Sequence, residues 1–295
     1  MRSMQPRRLI WDDIPRVHEL LARSWAADDP RAQMHIGDLY WVLRATPDGD
    51  RLSDTRVWPQ ADGSLAAFAW LDPPALGDAI IDPAEPQLLD EALGWFEDQY
   101  RERGSRSITV IVVDGDAPRL EALVRRGYAP GGGGNTRLWR RLMVEPAASV
   151  VPPGFSLDYV LTAEDVERRI FVESDSFGDA TLTADTWRMV QRLPTYRAEL
   201  DLIAIAPDGT GASACTCWYD DATRCGEFEA VGTAQVHRRR GVGKAVITEG
   251  LRRLHELGAT TAVVFTQNTN DAAIALYQSC GFEIVGEDYA WTRRL

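Results

Sequence analysis

The sequence is short of the features that tie proteins to membranes, metals or nucleic acids. Its 295 residues hold no apolar run near the ~18–20 residues that a bilayer-spanning helix needs. Arg2, Arg7 and Arg8 precede Trp11 with no apolar segment between, so no secretory signal and a cytoplasmic location are expected. Four cysteines, Cys215, Cys217, Cys225 and Cys280, match neither a zinc knuckle nor a C-x-x-C pair, which makes them reduced core thiols. The four histidines, His18, His35, His237 and His255, form no ligand cluster, so no metal is expected. Cations are scarce too. Lys and Arg number 32 against 44 Asp and Glu, a net charge of −12, which disfavours a nucleic-acid or anionic-membrane partner. Lys244 is the single lysine.

What remains is the composition of a globular protein, 45% hydrophobic and 26% charged, with the length of about two domains. The Pro- and Gly-bearing stretch around residues 146–154 opposes helix and central strand, and separates domains expected at 1–145 and 155–295. Both halves are acidic.

The two halves repeat. Each opens with a helical segment, Ile14 to Trp25 and Val166 to Phe177, followed by a strand pair around an Asp-Gly turn, Asp62-Gly63 and Asp208-Gly209. An amphipathic helix then ends at Gly104 or Gly258, and a short one ends at Gly127 or Gly281. Both glycine pairs are 154 residues apart. A buried strand lies between those helices, Ile108 to Val113 and Thr261 to Thr266. The closing strands are alike, Leu138 to Leu142 and Trp291 to Leu295. This is an α/β (α+β) fold, duplicated, with mixed and mostly antiparallel sheets flanked by helices. The Gly131–Gly134 run is expected to form a flexible loop tip.

One segment carries chemistry. A strand ending near Thr233 leads through Arg238, Arg239, Arg240, Gly241, Val242, Gly243 and Lys244 into a helix. First-turn N–H groups without internal partners suit a diphosphate, and glycine lets it approach. Lysine in a first turn opposes the helix dipole, so Lys244 fits anion binding better than helix stability. A Walker A loop would need Gly at Arg238 and Ser or Thr at Ala245, and a dinucleotide fingerprint would need Gly at Val246; both are rejected.

The pattern that fits is R-x-x-G-x-G at Arg238, Gly241 and Gly243, followed by N-x-x-A-x-x-L-Y-x-x-x-G-F at Asn270, Ala273, Leu276, Tyr277, Gly281 and Phe282. Together these resemble the GNAT superfamily of acyl-CoA-dependent N-acyltransferases, over most of the second half. The resemblance implies acetyl-CoA as acyl donor and a small-molecule primary amine as acceptor, with direct attack and no metal. It gives Val231 and Thr233 to the pantetheine arm and acetyl carbonyl, and the loop from Arg238 to Lys244 to the pyrophosphate. Asn270 would contact the pantetheine arm, and Ala273 would line the cofactor groove. Tyr277 would protonate the departing thiolate. An attacking amine must lose a proton, and a carboxylate can take it. Glu229, two residues before Val231 and therefore expected on its face, is the first choice, with Glu227 next. Alternatives are a non-catalytic acyl-CoA sensor and a protein N-terminal or lysine acetyltransferase.

Aligned by Gly104 and Gly258, the first half has Ala84 to Asp90 where the second has Arg238 to Lys244. Asp116 stands for Asn270 and Leu123 for Tyr277. It reads as a degenerate, non-catalytic copy. The acceptor region would include Glu173, Asp175, Phe177, Asp179 and Trp187, with Trp218 and Tyr219 nearby.

Overall fold

The computed structural model describes residues 5–28, 33–43, 51–178 and 182–295. The first half runs α1 (Ile14–Asp28), α2 (Ile36–Leu43), β1 (Thr55–Pro59), β2 (Leu65–Asp72), β3 (Leu76–Ile81), α3 (Leu88–Glu102), β4 (Ser107–Val113), α4 (Ala117–Arg125), β5 (Ala129–Pro130) and β6 (Asn135–Arg141). The second half runs β7 (Ser156–Tyr159), α5 (Ala163–Phe177), α6 (Ala184–Val190), β8 (Asp201–Ile205), β9 (Gly211–Asp220), β10 (Cys225–Thr233), α7 (Val242–Glu256), β11 (Thr261–Gln267), α8 (Asp271–Ser279) and β12 (Glu283–Arg294). Among the described residues no helix is long and apolar enough to cross a membrane, and no group of three or more His, Cys, Asp or Glu could hold a metal.

Local chemistry sets the helix ends. Thr162 caps α5 reciprocally: its hydroxyl accepts from Asp165 N at 3.2 Å, and Asp165 Oδ2 accepts from Thr162 N at 2.9 Å. Asp116 and Asn270 each cap their helix with one side-chain acceptor, taking Arg119 N–H at 3.0 Å and Ala273 N–H at 3.2 Å, as matching copies would. Gly104 and Gly258 follow α3 and α7 at φ +74° and +96°, values that side chains resist.

The strands form one continuous sheet in the order β1-β2-β3-β4-β12-β6-β11-β10-β9-β8-β7, with β5 on β12. Among the described residues only β3/β4 and β10/β11 are parallel. The halves exchange their closing strands. β6, from the first half, pairs with β11 along its whole length, Asn135 to Arg141 against Gln267 to Thr261. β12 starts on the other edge of β6 and then crosses, its residues Asp288–Arg294 pairing with Val113–Ser107 of β4. The crossing is pinned where it occurs. Asp288 accepts from Asn135 N at 2.9 Å and faces Arg137 at 3.5 Å. Farther along, Arg293 reaches Glu97 of α3 at 2.7 Å. Residues 146–154 contain no helix or strand, and the sheet runs across the two halves they separate.

Strands alternate their side chains, so each face collects its own core. β9 sends Ala214 and Trp218 to one face, and Cys215, Cys217 and Tyr219 to the other. The first face is shared: Leu20, Leu39 and Phe68 of the first half cluster with Val166, Trp187 and Trp218 of the second. On the other face the cores are separate. Phe96 and Leu123 pack in one, and Val246, Leu251 and Phe282 in the other.

The glycine run is not a free tip. Gly131 N donates to Ala290 O at 2.8 Å, and a Cβ on Gly134 would sit 2.0 Å from Asp288 O. The run lies against β12, where a side chain would clash with main chain.

Candidate active site

β10 and β11 lie side by side for three residues and then part. Cys225, Gly226 and Glu227 pair with Thr261, Ala262 and Val263; beyond them β11 follows β6 while β10 stays on β9. A gap opens between residues 228–233 and 264–267. Ala234 N–H bonds Ala212 O on β9 at 3.0 Å. By antiparallel alternation the main-chain groups of Thr233 and Val231 then face the gap. Arg238 Nε takes Thr233 O at 3.2 Å, as that orientation requires.

β10 is irregular within the gap. Phe228 stands opposite Cys217 and Val231 opposite Cys215, so three steps on β10 match two on β9. This is a bulge, and it reverses the alternation. Val231 returns to the α7 face beside Phe228, whereas Glu227, opposite Trp218, faces α2. The expected sharing of one face by Val231, Glu229 and Glu227 therefore fails. Glu229 sits in the bulge, half-buried, and its carbonyl accepts from Trp218 Nε1 at 2.9 Å. Trp218, expected beside the acceptor, pins the bulge with its side chain.

Tyr277 lies on α8, 6% exposed, edge-on to Phe282 with ring centroids 5.9 Å apart. Burial above all, then neighbouring Cys215, Glu229 and Cys280, pushes its phenol well above the usual tyrosine range. At neutral pH its phenol is protonated, and it shares an electrostatic environment with Glu229. Asn270 spends its side-chain oxygen on capping α8, and Ala273 packs partly buried on the α7-side core.

The basic loop turns through Arg239 at φ +62° and Gly241 at φ +87° into α7, whose N-terminus has no side-chain cap. A Cβ on Gly243 would lie 2.9 Å from Thr233 Oγ1, so the first turn of α7 packs directly on the end of β10. Arg238, Arg239, Arg240 and Lys244 are exposed around that turn. Uncapped N–H groups and four cations beside an open strand edge suit an extended thioester ligand ending in a diphosphate. The residues present fit acetyl-CoA.

The acceptor region divides. Glu173 is buried against Arg169 at 2.7 Å, and Trp187 donates to buried Asp201 at 3.2 Å, so both belong to the core. Trp218 and Tyr219 are buried as well. Asp175 and Phe177 do line open space, a depression of about 610 Å³ that also includes Phe171, Gln235 and Arg238. Asp179 lies outside the described residues.

The first half has the same fork with a different filling. β3 and β4 pair through Leu76 and Thr109 alone. Arg119, 154 residues before Ala273, reaches into that fork. Its guanidinium donates to Asp78 Oδ1 at 2.7 Å, Ala79 O at 2.7 Å and Asp116 Oδ2 at 3.0 Å. A cavity of about 150 Å³ remains. Arg119 was not among the expected site residues, although the repeat alignment sets it against Ala273. Arg119→Ala should leave Asp78 buried without its cation and cost about 3 kcal/mol. An unchanged urea midpoint and slope would show that the pair is not structural.

A sequence model described as Acetyltransferase (GNAT) family matches residues 167–282. Mycothiol acetyltransferase of Nocardia farcinica is 27% identical over 97% of this chain and 95% of its own. Mycothiol acetyltransferase of Corynebacterium aurimucosum is 35% identical, but the match spans 26% of this chain and about a quarter (25%) of that protein. Among solved structures, a tandem GNAT protein from the clavulanic acid biosynthesis pathway superposes with a TM-score of 0.72 at 15% identity, over 98% of both chains. A GCN5-related N-acetyltransferase from Sphaerobacter thermophilus gives 0.69 at 18% identity, over 98% of this chain and 95% of that one. At those identities the structures speak for the fold. Residues 167–282 thus match a GNAT acetyltransferase domain, set in a tandem fold like that of solved GNAT proteins.

Proposed function

We propose that the protein transfers an acetyl group from acetyl-CoA to a primary amine of a small molecule, with the chemistry in the second half. The observation that carries this reading is the parting of β10 from β11 after Glu227, beside the uncapped start of α7. Val231 and Thr233 offer main-chain groups along the gap, placed to hold the donor's arm and to meet negative charge developing on its carbonyl oxygen. The loop from Arg238 to Lys244 holds the diphosphate. Tyr277 gives its proton to the departing sulfur.

The amine's proton goes to a carboxylate of β10. Glu229 is supported by its place in the bulge beside Tyr277. A second reading, Glu227, is supported by its position at the fork and by an oxygen that no donor occupies. Glu229→Gln and Glu227→Gln separate them: the base is the one whose loss lowers kcat about a hundredfold or more. Equal, near wild-type rates in both would remove β10 from the proton's path.

The first half is proposed to be non-catalytic, its fork closed by Arg119. Thiol release from acetyl-CoA across a panel of amines tests the function. An amine related to mycothiol comes first, given the names of the relatives. Tight acetyl-CoA binding with no turnover of any amine would favour a sensor instead. Turnover of peptide N-termini or lysines alone would favour a protein acetyltransferase.

A further inference from the structure

Glu227 is tied to the other half of the molecule. It is 1% exposed, and its Oε2 lies 3.1 Å from Nδ1 of His35, the residue before α2. A Cβ on Gly37 would fall 2.3 Å from that same oxygen, so the backbone at the start of α2 rests directly on β10. Glu227 Oε1 is buried with no hydrogen-bond partner.

The geometry fixes a proton. His35 Nε2 lies 3.3 Å from Cys225 O, an atom that can only accept, so Nε2 carries a hydrogen. A bare Nδ1 facing a bare carboxylate oxygen at 3.1 Å would set lone pair against lone pair. One proton therefore lies between them, on either side. Gly37 N–H also lies 3.1 Å from Nδ1. Burial alone would pull His35 down, but the charge of Glu227 and the bond to Cys225 O outweigh it and hold His35 well above the ordinary histidine range. Other groups face the pair. Asp38 accepts from His35 N at 2.9 Å, and burial and Glu227 push its carboxyl well above the usual range. Arg137 on β6 approaches from the sheet with Asp288 beside it, and the Cys225 thiol lies on β10.

We infer that His35 and Asp38 are positioning residues for the transfer, supplied by the half whose own fork is closed. They act through Glu227: His35 holds one of its carboxylate oxygens at 3.1 Å, and Asp38, bonded to the His35 main chain at 2.9 Å, sets a second carboxyl beside the pair. This rests on the amine-transferase reading. In the step it governs, an N–H bond of the acceptor ammonium breaks and its proton passes to Glu227 Oε1. The freed electron pair forms the N–C bond to the acetyl carbon. The C–S bond breaks and the sulfur takes the proton of Tyr277; the second proton that nitrogen sheds as the amide forms returns to the Tyr277 oxygen, and Glu227 releases the first to solvent.

The test is kcat/KM against pH, followed by thiol release, for wild type, His35→Ala and Asp38→Asn. Losing a cation beside a carboxylate favours its protonated form, and losing an anion does the reverse. The acidic limb should move up by about one pH unit in His35→Ala and down by a similar amount in Asp38→Asn. Acetyl-CoA affinity should stay within about twofold in both, since neither residue lies at the diphosphate loop. Millimolar imidazole should restore His35→Ala toward wild type. A merely structural role would not move the two limbs in opposite directions. Coincident limbs, or limbs displaced in the same direction, overturn the inference and leave the transferase reading standing. No turnover of any amine by wild type overturns both. Should His35→Ala fold poorly, the near-isosteric Asp38→Asn carries the same test alone.

Discussion

Gly243→Asp is expected to weaken acetyl-CoA binding about a thousandfold, ~4 kcal/mol, with the fold retained. Three effects add. The new Cβ would lie 2.9 Å from Thr233 Oγ1 and force the start of α7 away from β10. A carboxylate there would take the first-turn N–H groups meant for phosphate. It would also set negative charge against a diphosphate at short range, where screening is weakest. Arg238→Ala should cost much less, about tenfold, because Arg238 already spends its guanidinium on Thr233 O and Ser176 O. Calorimetry decides. Affinity for Gly243→Asp within tenfold of wild type would place the diphosphate elsewhere.

Tyr277→Phe should lower kcat by about two to three orders of magnitude and leave the acetyl-CoA Kd within about twofold. Phenylalanine keeps the ring and its edge contact with Phe282, so packing survives and only the proton is lost. The raised phenol pKa has a readable sign. The group stays protonated at neutral and mildly alkaline pH, so Tyr277 should cause no fall in kcat below about pH 10, its unperturbed value. A wild-type kcat in Tyr277→Phe would show that the thiolate leaves without help from this residue.

The parts legible in the sequence were those set by local patterns. The paired helices and their terminal glycines, the Asp-Gly hairpins and the basic loop before α7 all fall where their spacing put them. The strand exchange was not legible. L-W-R-R-L at Leu138 and W-T-R-R-L at Trp291 are near copies, so either suits either slot, and the choice depends on how the connecting segment runs. The bulge in β10 was equally hidden, since one extra residue changes which way a side chain points without changing composition. That is why Glu229 and Glu227 appeared to share a face with Val231. His35 and Arg119 meet their partners only after folding. His35 contacts a residue in the other half, and nothing around it marks it as more than an isolated histidine.

The exchange of strands sets a timetable for the nascent chain. β4 gains its neighbour on one side only when Asp288–Arg294 exist, long after Val113 has left the ribosome. At ~5–20 residues per second the wait is on the order of ten seconds or more. Throughout it the first half carries an open strand edge, and β6 waits for β11 through most of it. β12, which follows every other described strand in the chain, joins β4 to β6 and so links the two halves into the one sheet. Expressed separately, each half should expose the slot that the other normally fills, and mixing the two pieces should recover what neither holds alone.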